Sequence, residues 1–342
     1  MSRPSRRGGG PGPRRPPIKK VSVARVKKKI IVRPMVTFRP EGIRWVRADG
    51  TPNWRQWIPP REGEVAYTST HPAITIAPQS TILEAAEVIS EHQVRGLIVA
   101  DPAKGYLKGL LTAMDLVNYL GGGEYYSIVV NRHKKNIYSA LRNEYVSSIS
   151  NPTPLFVTRT ESLDTVIRLM VENAVGIIPV VYEDGSVYGV ITEHDIVKHV
   201  AGKKLGVTVG QIASRNIVTI GIEDTILEAA RRMVKFGFRR LPVVSESGDE
   251  VKGVINAKDY VSFFGKHMAF KELRSTSIEE VLKTPVFEVM REGFFTVDES
   301  VDAGEAAKAM MENNTSNLLV TDEQGEITGI VTERDILVAI LW

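Results

Sequence analysis

Apolar residues along this chain keep two rhythms in turn: a short β-rich run, then a longer stretch with helical spacing. From about residue 70 the alternation is regular. The first runs are AITIA (73–77), PLFVT (154–158), NIVTI (216–220) and FFTVD (294–298). A Ser or Thr then opens an apolar-periodic helix, and Thr81 with Glu84 and Thr225 with Glu228 have capping-box spacing. Next come the apolar runs GLIVA (96–100), IIPVV (177–181), RLPVV (240–244) and NLLVT (317–321). A polar turn such as EDGS or EQGE leads to a further strand, YGVIT or TGIVT, and a last helix starts near an Asp. The predicted order is strand, helix, strand, strand, helix, four times over.

The four units fall into two related pairs. TILEAA stands at 81–86 and again at 225–230, a shift of 144. GLLTAMD (109–115) and GVINAKD (253–259) show the same shift, while GVITEHD (189–195) and GIVTERD (329–335) are 140 apart. Internal repetition of this kind governs the fold.

These units resemble CBS domains, the small modules that pair into Bateman modules. The resemblance rests on the fourfold G-h-h-T/N-x-x-D at strand–helix junctions and on RRLPVV (239–244), and it covers about residues 67–342. It implies an α/β fold with four CBS repeats forming two Bateman modules in a disc, preceded by a basic extended N-terminal arm. The expected boundaries are an arm at 1–66, CBS units at 67–120, 146–202, 203–264 and 286–342, a basic linker at 121–145 and a second linker at 265–285. Arg132, His133, Lys134, Lys135 and Arg142 make the first linker basic. That segment reads as a linker helix with a solvated face, or as a second contact for a polyanionic partner.

In CBS proteins that bind adenosine nucleotides, the resemblance implies that the closing Asp holds the ribose hydroxyls. A carboxylate suits this because it can accept from two vicinal hydroxyls at once. The Thr lies near ribose or phosphate, and a basic residue before the Asp reaches phosphate. Carried over by position, unit two offers Thr192, His194 and Asp195, and unit four offers Thr332, Arg334 and Asp335. Unit three offers Lys258 and Asp259 with Arg239 or Arg240 nearby, and unit one offers Thr112 and Asp115. AMP, ADP or ATP would be a regulatory ligand, with no cofactor required. Unit three has Asn256 in place of Thr, unit one has Met114 at the basic position, and units one and four lack the Pro of LPV. Units two and three therefore look most competent. A competing reading is purely structural, because T-x-x-D entering a helix is itself a capping box.

Charge adds the arm. Thirteen of the first forty residues are Lys or Arg, and the first acid is Glu41. Residues 1–66 carry 17 basic and 4 acidic side chains, a net +13; the remainder carries 27 and 36, a net −9. Such a split points to a polyanionic partner for the arm. The candidate RNA contacts are Arg6, Arg7, Arg14, Arg15, Lys19, Lys20, Arg25, Lys27, Lys28, Lys29 and Arg33, with Trp45, Trp54 and Trp57. Residues 21–40 could form an extended strand. The tryptophans either dock on the CBS body as a packed strap or stack on unpaired bases. A transit peptide is a rival for the arm, but Gly and Pro in RRGGGPGPRRPP break the amphipathic helix it would need.

The chain has no cysteine, which excludes disulfides and thiol metal sites and fits a cytoplasmic setting. No apolar run approaches the roughly 20 residues of a membrane helix. There is no P-loop, G-x-S-x-G elbow or HEXXH spacing, so nothing points to an enzyme. An array of CBS units behind a basic arm resembles archaeal CBS-domain proteins that bind ribosomes and keep them dormant. The expected function is a non-enzymatic, ribosome-binding hibernation factor whose arm contacts rRNA. The alternatives are an adenine-nucleotide sensor that regulates a separate enzyme or transporter, and a DNA-associated regulator. Homodimerisation through the CBS modules is compatible with each.

Overall fold

The computed structural model describes residues 18–21, 24–25, 51–271 and 273–341. Each unit folds as its pattern predicts, with two parallel strands and a third antiparallel to the second. In unit one Thr75 lies beside Ile98, and Val99 faces Gly109. In unit two Val157 lies beside Val180, which faces Gly189. Units three and four repeat this with Ile220–Val243–Gly253 and Val297–Val320–Gly329.

The glycine that opens each motif explains how units pair. A Cβ at Gly109 would stand 2.7 Å from the Asn151 carbonyl oxygen, and one at Gly189 would stand 2.6 Å from that of Thr70. In the second pair the contacts are Gly253 to the Arg291 oxygen at 2.2 Å and Gly329 to that of Ser214 at 3.0 Å. Only a residue without a side chain lets the neighbouring backbone come this close. The approach is reciprocal, and backbone bridges Leu110–Asn151, Thr70–Val190 and Ser214–Ile330 form beside it. Units one and two therefore make one pair, and units three and four the other.

The pairs join through helices. Ile82–His92 of unit one packs on Ala257–Gly265 of unit three, where a Cβ on Gly265 would meet the Ala86 oxygen at 2.3 Å. Their apolar faces merge in one core that includes Ile82, Ile89, Tyr260 and Phe264. Units two and four share a second core with Val166, Met170, Ile336 and Leu337. The four units thus form a ring in the order one, two, four, three.

The arm behaves differently from a free tail where it is described. Ile18–Val21 is a strand, antiparallel to Phe294–Asp298 at the edge of the unit-four sheet. Ala24 and Arg25 pair with Val251 and Glu250 in unit three. The extended stretch therefore starts before residue 21. Trp54 is 2% exposed within the second core, with the Arg55 guanidinium 4.1 Å from its ring centre. Trp57 is half-buried and donates its indole N–H to the Lys204 carbonyl at 3.3 Å. Of the two readings for the tryptophans, the packed strap describes these two, and Trp54 has no face left for a base. Arg55 in turn binds Glu64 and Asp164, each at 2.6 Å. Burial opposes the Glu64 charge, but Arg55 and the Leu163 N–H outweigh it and hold the carboxyl below its usual range. Arg6, Arg7, Arg14, Arg15, Lys27, Lys28, Lys29, Arg33 and Trp45 lie outside the described residues.

The 121–145 segment is also more structured than a basic linker. It forms helices Tyr126–Asn131 and Ile137–Arg142, with Val129, Ile137, Ala140 and Leu141 fully buried. His133 is buried against Ser139 and Glu144, Arg132 also binds Glu144, and Lys135 binds Glu279. Of the five bases, Arg132 and His133 answer the buried Glu144 and Lys135 the exposed Glu279, while Lys134 donates to the Asn131 carbonyl and Arg142 lies over the Tyr138 ring.

The pairing argument predicts that Gly253→Ala destabilises the protein by roughly 1–3 kcal/mol, the cost of overpacking against fixed backbone. A lower midpoint in urea-induced unfolding is the expected result, and an unchanged midpoint would refute the close-approach account.

Candidate nucleotide clefts and the ionic centre

Each motif ends a strand and starts a helix, so its fourth residue is an N-cap and its seventh is the third helical residue. All four are true capping boxes. The N-cap N–H donates to the Asp at 2.7 Å in unit one, 2.8 Å in unit two, 3.3 Å in unit three and 2.7 Å in unit four. Thr112, Thr192 and Thr332 also donate their hydroxyls to that same oxygen. Capping therefore engages one carboxylate oxygen, and the clefts differ in the other. In Asp195 it accepts from the Thr70 hydroxyl at 3.2 Å. In Asp259 it accepts from Arg291 Nε at 2.6 Å. In Asp115 and Asp335 it has no protein partner among the described residues.

Asp335 stands in a cleft of about 330 Å³ between units three and four. Ile217, Val218, Phe238 and Pro242 of unit three supply apolar wall, with Val338 on the unit-four side. Arg239, Arg240 and Arg334 supply positive charge in the same space. Burial pushes the Asp335 carboxyl up to about 6 despite its bonds to Thr332. Burial likewise raises Asp115 and Asp259.

The walls of this cleft do not come only from the unit that carries its motif. Unit four lacks the Pro of LPV, yet Pro242 of unit three lines the cleft that holds Asp335. Each cleft is assembled from two units, so a unit's own motif does not report its competence. The Asp259 side of unit three, favoured on sequence, has its outer oxygen already bound by Arg291.

The basic residues expected to meet phosphate have a second task. His194 Nδ1 lies 2.8 Å from Glu333, and Arg95 pairs with the same carboxylate. Arg334 pairs with Glu193 and donates to the Met170 carbonyl, while Arg239 lies 3.6 Å from Glu193. Glu193 is 3% exposed and Glu333 is 2% exposed. These ion pairs cross between the two pairs of units. His194 thus bridges to Glu333 through Nδ1. Burial would raise Glu333, but His194 and Arg95 outweigh it and hold the acid below its usual range. Sequence reading missed both glutamates, because an acid in the first helical turn normally faces water.

Beside this centre lies a second cavity, of about 480 Å³, lined by residues from all four units and by Lys20 of the arm. Arg239 and Arg240 line both cavities. Arg240 donates to the Ser316 carbonyl at 2.9 Å and to its hydroxyl at 2.8 Å. Lys258 donates to the Gln93 carbonyl at 2.9 Å. Burial, reinforced by Arg95, lowers Arg240 to about 10 and lowers Lys258 as well. The described residues hold no cluster of metal ligands and no helix long and apolar enough to cross a membrane.

Comparison with known proteins agrees with this architecture. The CBS domain family matches at residues 63–122, 146–202, 209–266 and 286–341. An uncharacterized protein of Methanocaldococcus jannaschii, MJ1225, is 29% identical over 265 residues, which is 77% of this chain and 94% of that protein. Its crystal structure superposes with a TM-score of 0.73 at 28% identity, covering 79% of this chain and 97% of that one, and it is described as a proposed archaeal homologue of g-AMPK. A Thermofilum pendens protein, described as an uncharacterized 33.4 kDa protein in a ribosomal RNA operon, is 32% identical over 267 residues, 78% of this chain and 87% of that protein.

The raised pKa of Asp335 gives its pH dependence a definite sign. Its folded value lies above the unfolded carboxylate value, so its contribution favours folding at low pH and is lost as pH rises through about 6. Asp335→Asn keeps a capping oxygen and removes the charge. Relative to wild type, the ligand-free variant should gain roughly 1–3 kcal/mol of stability between about pH 4 and pH 7.5. Urea unfolding at the two pH values measures this, and a constant difference between variant and wild type would contradict it.

Proposed function

The chain belongs to the CBS domain family, and we propose that it is a non-catalytic sensor of adenine nucleotides. The observation that carries the reading is the outer oxygen of Asp335, which has no hydrogen-bond partner among the described residues in the cleft between units three and four. Capping alone needs one oxygen and is no reason to bury a charge. Asp335 is retained at a cost to the folded state, and the vicinal hydroxyls of a ribose would meet the free oxygen. Ile217, Phe238 and Pro242 offer apolar surface for a base. Arg239 and Arg240 stand where a phosphate would pass from the cleft into the second, cationic cavity. Adenine is assigned from the family resemblance and from the description of MJ1225. The output is then a change in how the two pairs of units, or a separate enzyme or transporter, are held. Such a signal requires the nucleotide to prefer one arrangement over another.

AMP binding by isothermal titration calorimetry tests this. Asp335→Asn should weaken it by about tenfold, since a charge-assisted hydrogen bond contributes about 1.5–3 kcal/mol. Adenosine carries no titrating phosphate, and its affinity should fall as pH drops below about 6, where Asp335 takes up a proton. Equal AMP affinity in variant and wild type would remove Asp335 from the site.

A second reading concerns the arm. Its net charge of +13 over residues 1–66 is of the kind that neutralises nucleic-acid phosphates. One relative is described as lying in a ribosomal RNA operon. On this reading the protein binds ribosomes and restrains translation, with the segments around Lys19, Lys20 and Arg25 anchored on the CBS body and the rest of the arm contacting rRNA. Full-length protein should then co-sediment with ribosomes at low salt, and a chain starting at Thr51, which keeps the core residues Trp54 and Val65, should not. Equal sedimentation of both would exclude an arm-led contact.

A further inference from the structure

The second cavity has a charge imbalance. Six cationic side chains line it, Lys20, Arg95, Arg239, Arg240, Lys258 and Arg291, against the single acid Glu292. Three of the six are answered from behind the wall. Arg95 pairs with Glu333, Arg239 with Glu193, and Arg291 with Asp259. The other three form no ion pair among the described residues, although Glu333 and Glu193 act on Arg240, and Asp259 on Lys258, from further away. Arg240 bonds Ser316, Lys258 bonds the Gln93 carbonyl, and the Lys20 ammonium lies 5.9 Å from the centre of the Phe295 ring.

Lys20 differs from the others because the arm brings it. Ile18–Val21 adds to the unit-four sheet, with Lys20 opposite Phe295. Ala24 and Arg25 add to the unit-three sheet four residues later. Val21 and Ala24 pack on the small apolar cluster of Val244, Val251, Phe294 and Leu319, which joins units three and four. Ile18–Val21 therefore lies on unit four and Ala24–Arg25 on unit three, with Lys20 lining the cavity. Lys20, Arg240 and Lys258 line the same cavity, so a polyanion bound there would attract the strand that carries Lys20. The strap therefore has different interaction energies with the empty and filled cavity, which is the condition for coupling.

The geometry points to a strap held by a polyphosphate: the docked strands Ile18–Val21 and Ala24–Arg25 and a phosphate chain in the cationic cavity stabilise each other, with Lys20 as an arm-borne phosphate ligand. This rests on the nucleotide reading of the clefts and extends it to the arm. A triphosphate reaches further from the Asp335 cleft than a monophosphate, so the coupling should be stronger for ATP than for AMP. By linkage, a ligand that tightens the strap must itself bind more tightly when the strap is docked.

The experiment uses the full chain and Lys20→Gln, with AMP and ATP as probes in the absence of magnesium. Calorimetry should show ATP weakened about three- to tenfold by Lys20→Gln and AMP changed less. Brief trypsin treatment followed by mass spectrometry should show cleavage after Arg25 slowed several-fold by saturating ATP in the wild type, and far less slowed in the variant. Unchanged ATP affinity in Lys20→Gln, or cleavage after Arg25 that ignores saturating ATP, would overturn the strap while leaving the clefts intact. Failure of the wild-type chain to bind either nucleotide would overturn the cleft reading, and the strap with it.

Discussion

Four backbone-to-backbone approaches hold this structure in register. At Gly109, Gly189, Gly253 and Gly329 a neighbouring unit's carbonyl comes within 3.0 Å of where a Cβ would stand. Because the approaches are reciprocal within each pair, they fix both partners at once. Three residues after each glycine the chain reaches the N-cap, and three residues after that the Asp. One short motif thus sets the pairing of units, starts a helix and places a carboxylate beside the partner unit. The clefts exist where they do because the pairing glycine and the cleft acid are separated by two short, rigid steps.

This coupling explains what the sequence made legible and what it did not. The repeat, the strand order and the capping boxes are local properties, and they appear in the structure as the pattern implies. The fitness of a cleft is not local. Pro242 belongs to unit three but faces Asp335 of unit four, and Arg291 of unit four takes the outer oxygen of Asp259 in unit three. No reading of one unit at a time could rank them. Glu193 and Glu333 were invisible for a related reason. Each looks like an ordinary first-turn acid until the second pair of units is packed over it. Trp54 stayed between two readings because much of the core it joins, Val166 of unit two included, lies outside the arm.

The ionic centre is where the two pairs of units can influence one another. Glu193 and Glu333 are buried acids, and their partners come from other units: Arg334 and Arg239 for the first, His194 and Arg95 for the second. Burying such pairs contributes little net stability, since desolvation offsets attraction, but removing one partner leaves a costly bare charge. The arrangement is therefore stiff toward loss and lenient toward exchange. A phosphate bound in the cleft, as proposed, would be a group that can exchange: it would offer Arg239 or Arg334 an alternative anion and loosen their hold on Glu193.

That exchange links the chemistry of the clefts to the shape of the ring. Arg239 and Arg334 both bind Glu193, and both line the cleft that contains Asp335. If a phosphate draws one of them away, the helix that carries Glu193 loses part of its tie to units three and four. A ligand held at Asp335 by its ribose would thus act on unit two through a shared arginine, with no large movement of either core. The same logic reaches the arm, whose strands join units three and four at their outer sheet edges while the ion pairs join the pairs of units at the centre. Occupancy of the space between those two sets of ties changes the charge both of them face. A protein built this way can report a bound anion to its surface using only charges already on its inner walls.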